Sequence, residues 1–160
     1  MVSLKKENLK ASDYARRTIL ELFPENVVAQ AIVKESSISS SVIAINNGDG
    51  QFEIKKLPPR VQFSCVCDIQ CTDVNNDGHL DLVMAGNDFE FKPQFSRLDA
   101  NFGNVLLGDG SLNFKWQDYN NSGFFVRDEV KHLKKIRDKN NNEFLIAAIN
   151  DGAPKLFALQ

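Results

Sequence analysis

Two pairs of segments in this chain repeat the same pattern at nearly one displacement, and that self-similarity restricts the fold more than any other feature. Val42–Phe52 aligns with Asn104–Phe114, and their turn glycines Gly48 and Gly108 stand 60 positions apart. A second match sets Leu82–Asp88 against Leu145–Asp151, displaced by 63. Two independent matches at almost the same spacing imply an internal repeat of about 60 residues, a period that belongs to stacked or radial arrays.

Each repeat has room for about four short strands, the content of one β-propeller blade. The turns support strands: Asn46-Asn47-Gly48-Asp49-Gly50 is rich in residues that accept the positive φ of a hairpin. Val42–Ile45 enters this turn, Gln51–Ile54 leaves it, and Pro58-Pro59 ends the returning strand. Val27–Val33 is apolar as well, and Ser36–Ser41 reads as a loop. Ahead of these, Ser12 is placed to cap a helix over 13–23 that Pro24 stops. The expected layout is a flexible N-terminus (1–11) and one domain over 12–160. Within that domain the helix is followed by a first blade-like unit over about 27–90 and a second over about 97–158. Twelve phenylalanines suggest cores filled by aromatic wedges between sheets.

One loop carries chemistry. In Asp73-Val74-Asn75-Asn76-Asp77-Gly78-His79-Leu80-Asp81, oxygen-bearing side chains stand at positions one, three, five and nine, with glycine at six. A hard divalent cation such as Ca²⁺ takes six to eight oxygen ligands, which a tightly wound loop supplies from alternate residues. Position twelve is Met84, no ligand for Ca²⁺, and Leu82–Gly86 reads as a buried strand, so the helical EF-hand loop is excluded. The remaining choices are a cation loop and a plain Asx-rich turn. Three carboxylates within nine residues repel one another without a cation, which favours the first.

These motifs together resemble the FG-GAP/VCBS repeat: Gly-Asp-Gly hairpins, the Asp73–Asp81 loop and the apolar strand after it. More narrowly, Phe23-Pro24, Asn46–Phe52, Asp73–Asn87, Arg97–Gly103 and Asn150-Asp151 resemble the C-terminal end of large bacterial VCBS-repeat proteins of the ASPIC/UnbV-like kind. The resemblance covers about residues 12–157. It implies a mainly β fold of antiparallel blade-like sheets in an incomplete propeller. It also implies one structural Ca²⁺ held by the side chains of Asp73, Asn75, Asp77 and Asp81 and the backbone carbonyl of His79. The corresponding loop of the second unit, about Arg137–Glu143, lacks the Asp-Gly pair and brings in cations, so a single metal site is expected. An extracellular, periplasmic or cell-surface parent protein follows from the resemblance, although no signal peptide is read at the N-terminus of this chain.

Several function classes fall away. A net charge of −2 gives no support for nucleic-acid or anionic-membrane binding. No apolar run approaches the ~20 residues that span a bilayer. Cys65, Cys67 and Cys71 are expected as small buried hydrophobes in a strand, without a disulfide framework. His79 is expected to turn its ring to solvent, and His132 to lie on a strand surface. Asp49 and Asp109 read as turn formers, Arg97 and Asp99 as an ion pair fixing a loop, and Lys131–Lys139 as a solvated basic face. With no catalytic constellation in the sequence, the leading reading is a non-enzymatic calcium-binding module. It would engage a protein or glycan partner, or the missing blades of a longer chain, and its open sheet edges would also recruit a second copy. The alternative is a propeller fragment of a calcium-dependent polysaccharide lyase or hydrolase.

Overall fold

The computed structural model describes residues 10–92, 94 and 96–159, so most of the expected flexible N-terminus lies outside the described residues. The chain divides into two compact units, Met1–Ser39 and Ser40–Gln160, where the sequence reading draws one domain over 12–160.

Among the described residues of the first unit, the single helix expected over 13–23 gives way to two one-turn helices, α1 (Ala11–Tyr14) and α2 (Ile19–Leu22), and a third, α3 (Glu25–Val28), follows Pro24. The break has a local cause. The Glu21 carboxylate accepts hydrogen bonds from the backbone N (2.7 Å) and Oγ1 (3.0 Å) of Thr18, so a fresh helix starts there and the first one cannot continue. Lys10, not Ser12, is the N-cap of α1. Pro24 forces Phe23 into an extended conformation and then serves as N-cap of α3. The apolar stretch 27–33 is no strand. Its first two residues finish α3, and Ile32 and Val33 are largely exposed.

The named strands of the second unit all pair antiparallel. β1 (Val42–Asn46) and β2 (Phe52–Lys56) form a two-stranded sheet. β3 (Val66–Thr72), β4 (Asp81–Gly86), β5 (Asn104–Gly108) and β6 (Phe114–Gln117) form a four-stranded meander. A one-turn helix α4 (Tyr119–Ser122) leads on to the three-stranded sheet of β7 (Val130–Arg137), β8 (Glu143–Ile149) and β9 (Lys155–Ala158). The mainly β class is therefore as expected. The unit boundary at 90/97 is not: β4 pairs with β5 across it, through Leu82↔Leu106, Val83↔Val105 and Met84↔Asn104. A repeat in sequence supplies the period but not the phase at which strands group into sheets.

Two apolar layers hold the sheets together. Val83, Ala85 and Val105 pack with Phe124, Val126, Leu133, Leu145 and Ala147 between the four- and three-stranded sheets. On the other side Met84 and Leu106 pack with Leu57 and Val61, flanked by Ile43 and Trp116. β4 is covered on both faces, which is why its sequence is an unbroken apolar run. The core is aliphatic. Phe124 is its one buried phenylalanine among the described residues, Phe157 and Phe114 pack against the core from partly buried positions, and Phe52, Phe63, Phe91 and Phe125 are exposed, so the expected aromatic wedges are few.

β3 inverts the usual polarity. Its exposed positions are Cys67, Ile69 and Cys71, and its covered ones are Asp68, Gln70 and Thr72. The polar side chains face β7, whose outward amides they satisfy: Leu133 N donates to Asp68 Oδ2 (2.8 Å) and Lys135 N to Gln70 Oε1 (3.2 Å). An edge strand is thus protected by side chains of its neighbour. The same inversion corrects the cysteine expectation: all three are free, Cys65 is half-buried, and Cys67 and Cys71 are exposed.

Candidate functional site

The loop from Asp73 to Leu80 closes the β3–β4 hairpin, whose last pair is Thr72↔Asp81. Its side chains wind it from within. Asp73 accepts the amide of Asp77 at Oδ1 (3.3 Å) and that of Gly78 at Oδ2 (2.8 Å). Asn75 Oδ1 accepts the same Asp77 amide at 3.2 Å, and Asn75 Nδ2 donates to Asp77 Oδ2 at 2.8 Å. Asp77 Oδ1 accepts the His79 amide at 2.8 Å. The left-handed conformations of Asn76 (φ 59°) and Gly78 (φ 85°) permit this tight path. The oxygens of Asp73 and Asn75 therefore meet at one amide, beside the Asp77 carboxylate. That carboxylate is held below the usual range, first by the His79 amide and then by the Asn75 side chain.

Asp81 is set differently. It is fully buried, with Oδ2 accepting Val74 N (2.9 Å) and Oδ1 accepting Gly108 N (2.8 Å). It ties the loop to the end of β5, where the chains run so close that a Cβ on Gly108 would stand 2.3 Å from the Leu80 carbonyl oxygen. His79 is exposed, but its ring does not simply face solvent: a Cβ on Gly110 would meet its Nδ1 at 2.6 Å. The loop is thus braced on the β5–β6 turn.

The structure brings Asp73, Asn75 and Asp77 together and uses Asp81 as an anchor behind them. Among the described residues no three or more His, Cys, Asp or Glu side chains are gathered as a finished metal cluster. The donor chemistry nevertheless fits a hard divalent cation. Every donor is oxygen, and a carboxylate oxygen that accepts one N–H keeps a further lone pair for a metal.

The counterpart in β7–β8 has no such character. Asp138 alone organises that turn, accepting Asn140 N (2.8 Å), Asn142 N (2.9 Å) and Asn142 Nδ2 (2.9 Å). Glu143 is taken up by Lys135 (2.5 Å) and Arg137 (2.6 Å). Asp109 repeats the Asp138 pattern with Ser111 and Asn113, and Asp49 accepts Gln51 N, so both aspartates are turn formers as expected. Arg97 and Asp99 do pair, at 3.3 Å on the surface, with Arg97 also lying over Phe89. His132 is exposed on β7, 3.5 Å from Asp68.

Sequence reasoning missed a buried polar knot at the opposite end of β4. Asn87, fully buried with φ 94°, donates Nδ2 to the carbonyls of Asn101 (2.7 Å), Arg127 and Asp128 and accepts Asn101 N (3.0 Å). It pins the long β4–β5 connection to the start of β7. Glu129 is buried nearby, bound by Lys131 Nζ (2.5 Å) and Asn150 Nδ2 (2.9 Å), and Lys131 is the main cause holding its carboxyl below the usual range. The available signal was an asparagine directly after a strand-ending glycine, a position suited to the left-handed region.

Beside the candidate cation loop a cleft of about 770 Å³ opens between the four- and three-stranded sheets. Val83, Val105 and Leu145 floor it, and Asn75, Asn76, Asn120 and Asn121 rim it. An apolar floor with a polar rim is the usual make-up of a ligand site. Comparison with protein-family models, curated proteins and solved structures finds no match to the chain. Function therefore has to come from the site itself.

Proposed function

We propose that this chain is a non-enzymatic, calcium-stabilised binding or scaffolding module of the β-propeller kind. Asp73, Asn75, Asp77, the His79 carbonyl and Asp81 would hold one structural Ca²⁺. The observation that carries this reading is the winding of the loop. Alternate oxygens of Asp73 and Asn75 turn inward onto one amide beside the Asp77 carboxylate, and the buried Asp81 closes the loop's end. An ion there would neutralise the packed carboxylates and offset the entropy of ordering the loop.

Strand grouping supports the architectural part. A four-stranded meander is the content of one blade, and the three- and two-stranded sheets beside it correspond to incomplete ones. Their free edges suit further blades or a second copy. A protein or glycan partner would be engaged by loops that the sheets hold in place, the Asn75–Asn76 rim of the cleft among them. An extracellular, periplasmic or surface setting agrees with the chemistry, since weak calcium sites of extracellular modules fill at ~10⁻⁴–10⁻³ M.

The test is thermal unfolding of the purified chain in EDTA and in millimolar CaCl₂, beside Asp77→Ala. At such a site millimolar calcium is about one to ten times Kd and stabilises the native state by roughly 0.4–1.4 kcal/mol. Calcium should raise the midpoint of the wild type and leave the variant unmoved. Equal midpoints for the wild type in both buffers would reduce the loop to an Asx-rich turn.

A further inference from the structure

Four arginines stand in the second unit. Arg97 and Arg137 are paired with Asp99 and Glu143, whereas Arg60 and Arg127 have no carboxylate partner among the described residues. Both unpaired guanidinium groups lie over aromatic rings instead. The Arg60 guanidinium carbon is 5.1 Å from the Trp116 ring centre and 5.8 Å from that of Phe63. That of Arg127 is 5.3 Å from the Phe102 ring centre.

Tyr119 joins the two arginine sites. Its ring meets Trp116 edge-on at 5.3 Å, Phe125 at 5.5 Å and Phe102 at 6.4 Å. Trp116 is itself locked, its Nε1 donating to Asn104 Oδ1 at 3.1 Å. A continuous strip results, in which guanidinium groups and rings support one another from the Pro59–Gln62 turn to the strand entry at Arg127. Its outer rings are open to solvent: Phe63 is 57% exposed and Phe125 46%.

We infer that this strip binds an acidic polysaccharide. A guanidinium stacked on a ring keeps its in-plane N–H groups free, and these match a carboxylate bidentately. An exposed ring beside it covers the C–H face of a sugar. A polymer that alternates carboxylates with apolar ring faces satisfies both components at once. An acidic peptide would use the arginines but not the rings. Nucleic acid would need many more phosphate-neutralising cations than two, on a chain whose net charge is −2. The inference rests on the reading of the chain as a binding module and names its partner class, but it does not depend on the cation.

Titration calorimetry with hyaluronan tests it, with dextran as the neutral control, poly-glutamate as the acidic-peptide control, and parallel runs in EDTA and CaCl₂. The wild type should bind hyaluronan, more weakly as salt rises, and should not bind dextran. The double variant Arg60→Gln/Arg127→Gln should lose about tenfold or more in affinity with its unfolding midpoint retained. If that variant does not fold, Phe63→Ala at its exposed site takes its place and should weaken binding by about threefold or more. No hyaluronan binding by the wild type, unchanged affinity in a folded variant, or tighter binding to poly-glutamate would each overturn the inference. Hyaluronan binding without any calcium effect on unfolding would sink the cation and leave the strip standing. A calcium effect without hyaluronan binding would do the reverse.

Discussion

The β3–β4 and β7–β8 hairpins are built alike and closed differently. Both carry a register shift near the start of their first strand, at Val66/Asp68 and at Val130/His132. Both then run antiparallel to a turn. The β7–β8 ladder closes at Arg137↔Glu143, the spacing also seen at Asn46↔Phe52 and Gly108↔Phe114, and one aspartate satisfies the turn's backbone. The β3–β4 ladder closes at Thr72↔Asp81, across a longer loop that holds the half-buried carboxylate of Asp73 and the exposed one of Asp77, with the buried one of Asp81 at its end. A short turn is complete in itself. The longer one concentrates negative charge with no cationic side chain paired to it among the described residues, and this contrast is the reason the proposed ion is assigned to it.

The largest break in that contrast should come from Asp81→Ala. It strips the buried Gly108 N and the partly buried Val74 N of a carboxylate acceptor. Unsatisfied buried donors and lost charge-assisted bonds make a cost of about 3 kcal/mol reasonable. Urea unfolding should show it, with or without calcium. A loss below ~1 kcal/mol would mean that water replaces the carboxylate and that the anchor is unimportant. Gly110→Ala comes next. The position combines φ 76° with the His79 ring 2.6 Å from any Cβ, so about 1–2 kcal/mol is expected. Because the strain falls on the loop's brace, the calcium-induced rise in midpoint should shrink along with it.

How far these regions were readable in advance depends on whether a residue's role is local. Asp49 and Asp109 announce turns because their side chains bond amides two to four residues on. β4 announces itself because both its faces are covered. The cysteines misled because β3 buries its polar face to serve the amides of β7, about 65 positions away, and no local pattern carries that. The helix over 13–23 failed for the opposite reason: a local signal, Thr18 with Glu21, overrode the longer apolar spacing. The alternating oxygens of the Asp73–Asp81 loop were legible, yet the division of labour between Asp73, Asn75 and Asp77 and a buried anchor was not, since it depends on Gly108 from another hairpin.

Acid should separate the two closures more gently. Asp77 is held below its ordinary value of 3.8 chiefly by the His79 amide, and Asp138 chiefly by the Asn142 side chain. Glu143 is held below 4.5 chiefly by Lys135. Depressed carboxyls contribute stability that is fully present above their unfolded values and lost as pH falls through their folded ones. The midpoint should therefore be flat near neutrality and fall as pH drops below about 4. In calcium the wild type should fall more steeply than in EDTA, because protonation also releases the ion. Asp138→Asn should leave that calcium-dependent difference intact, and Asp77→Asn should abolish it. Superimposable curves in the two buffers would remove the distinction between the loops.

The smallest effect compares the two short turns with each other. Asp109–Asn113 and Asp138–Asn142 share one hydrogen-bond pattern, and each holds its fourth residue in the left-handed region: Leu112 at φ 59° and Asn141 at φ 68°. That conformation costs a leucine about 1 kcal/mol or more, whereas asparagine tolerates it. Glycine removes the strain but adds freedom to the unfolded chain, worth roughly 0.4–1 kcal/mol in the other direction. Leu112→Gly should therefore raise stability by about 0.5 kcal/mol, because the exposed side chain contributes little packing in return. Asn141→Gly has little strain to relieve and should be neutral or slightly destabilising. Urea midpoints measured side by side decide it. If Leu112→Gly destabilises the fold instead, the half-exposed leucine holds more apolar contact than its 47% exposure suggests, and the two turns are alike in backbone only.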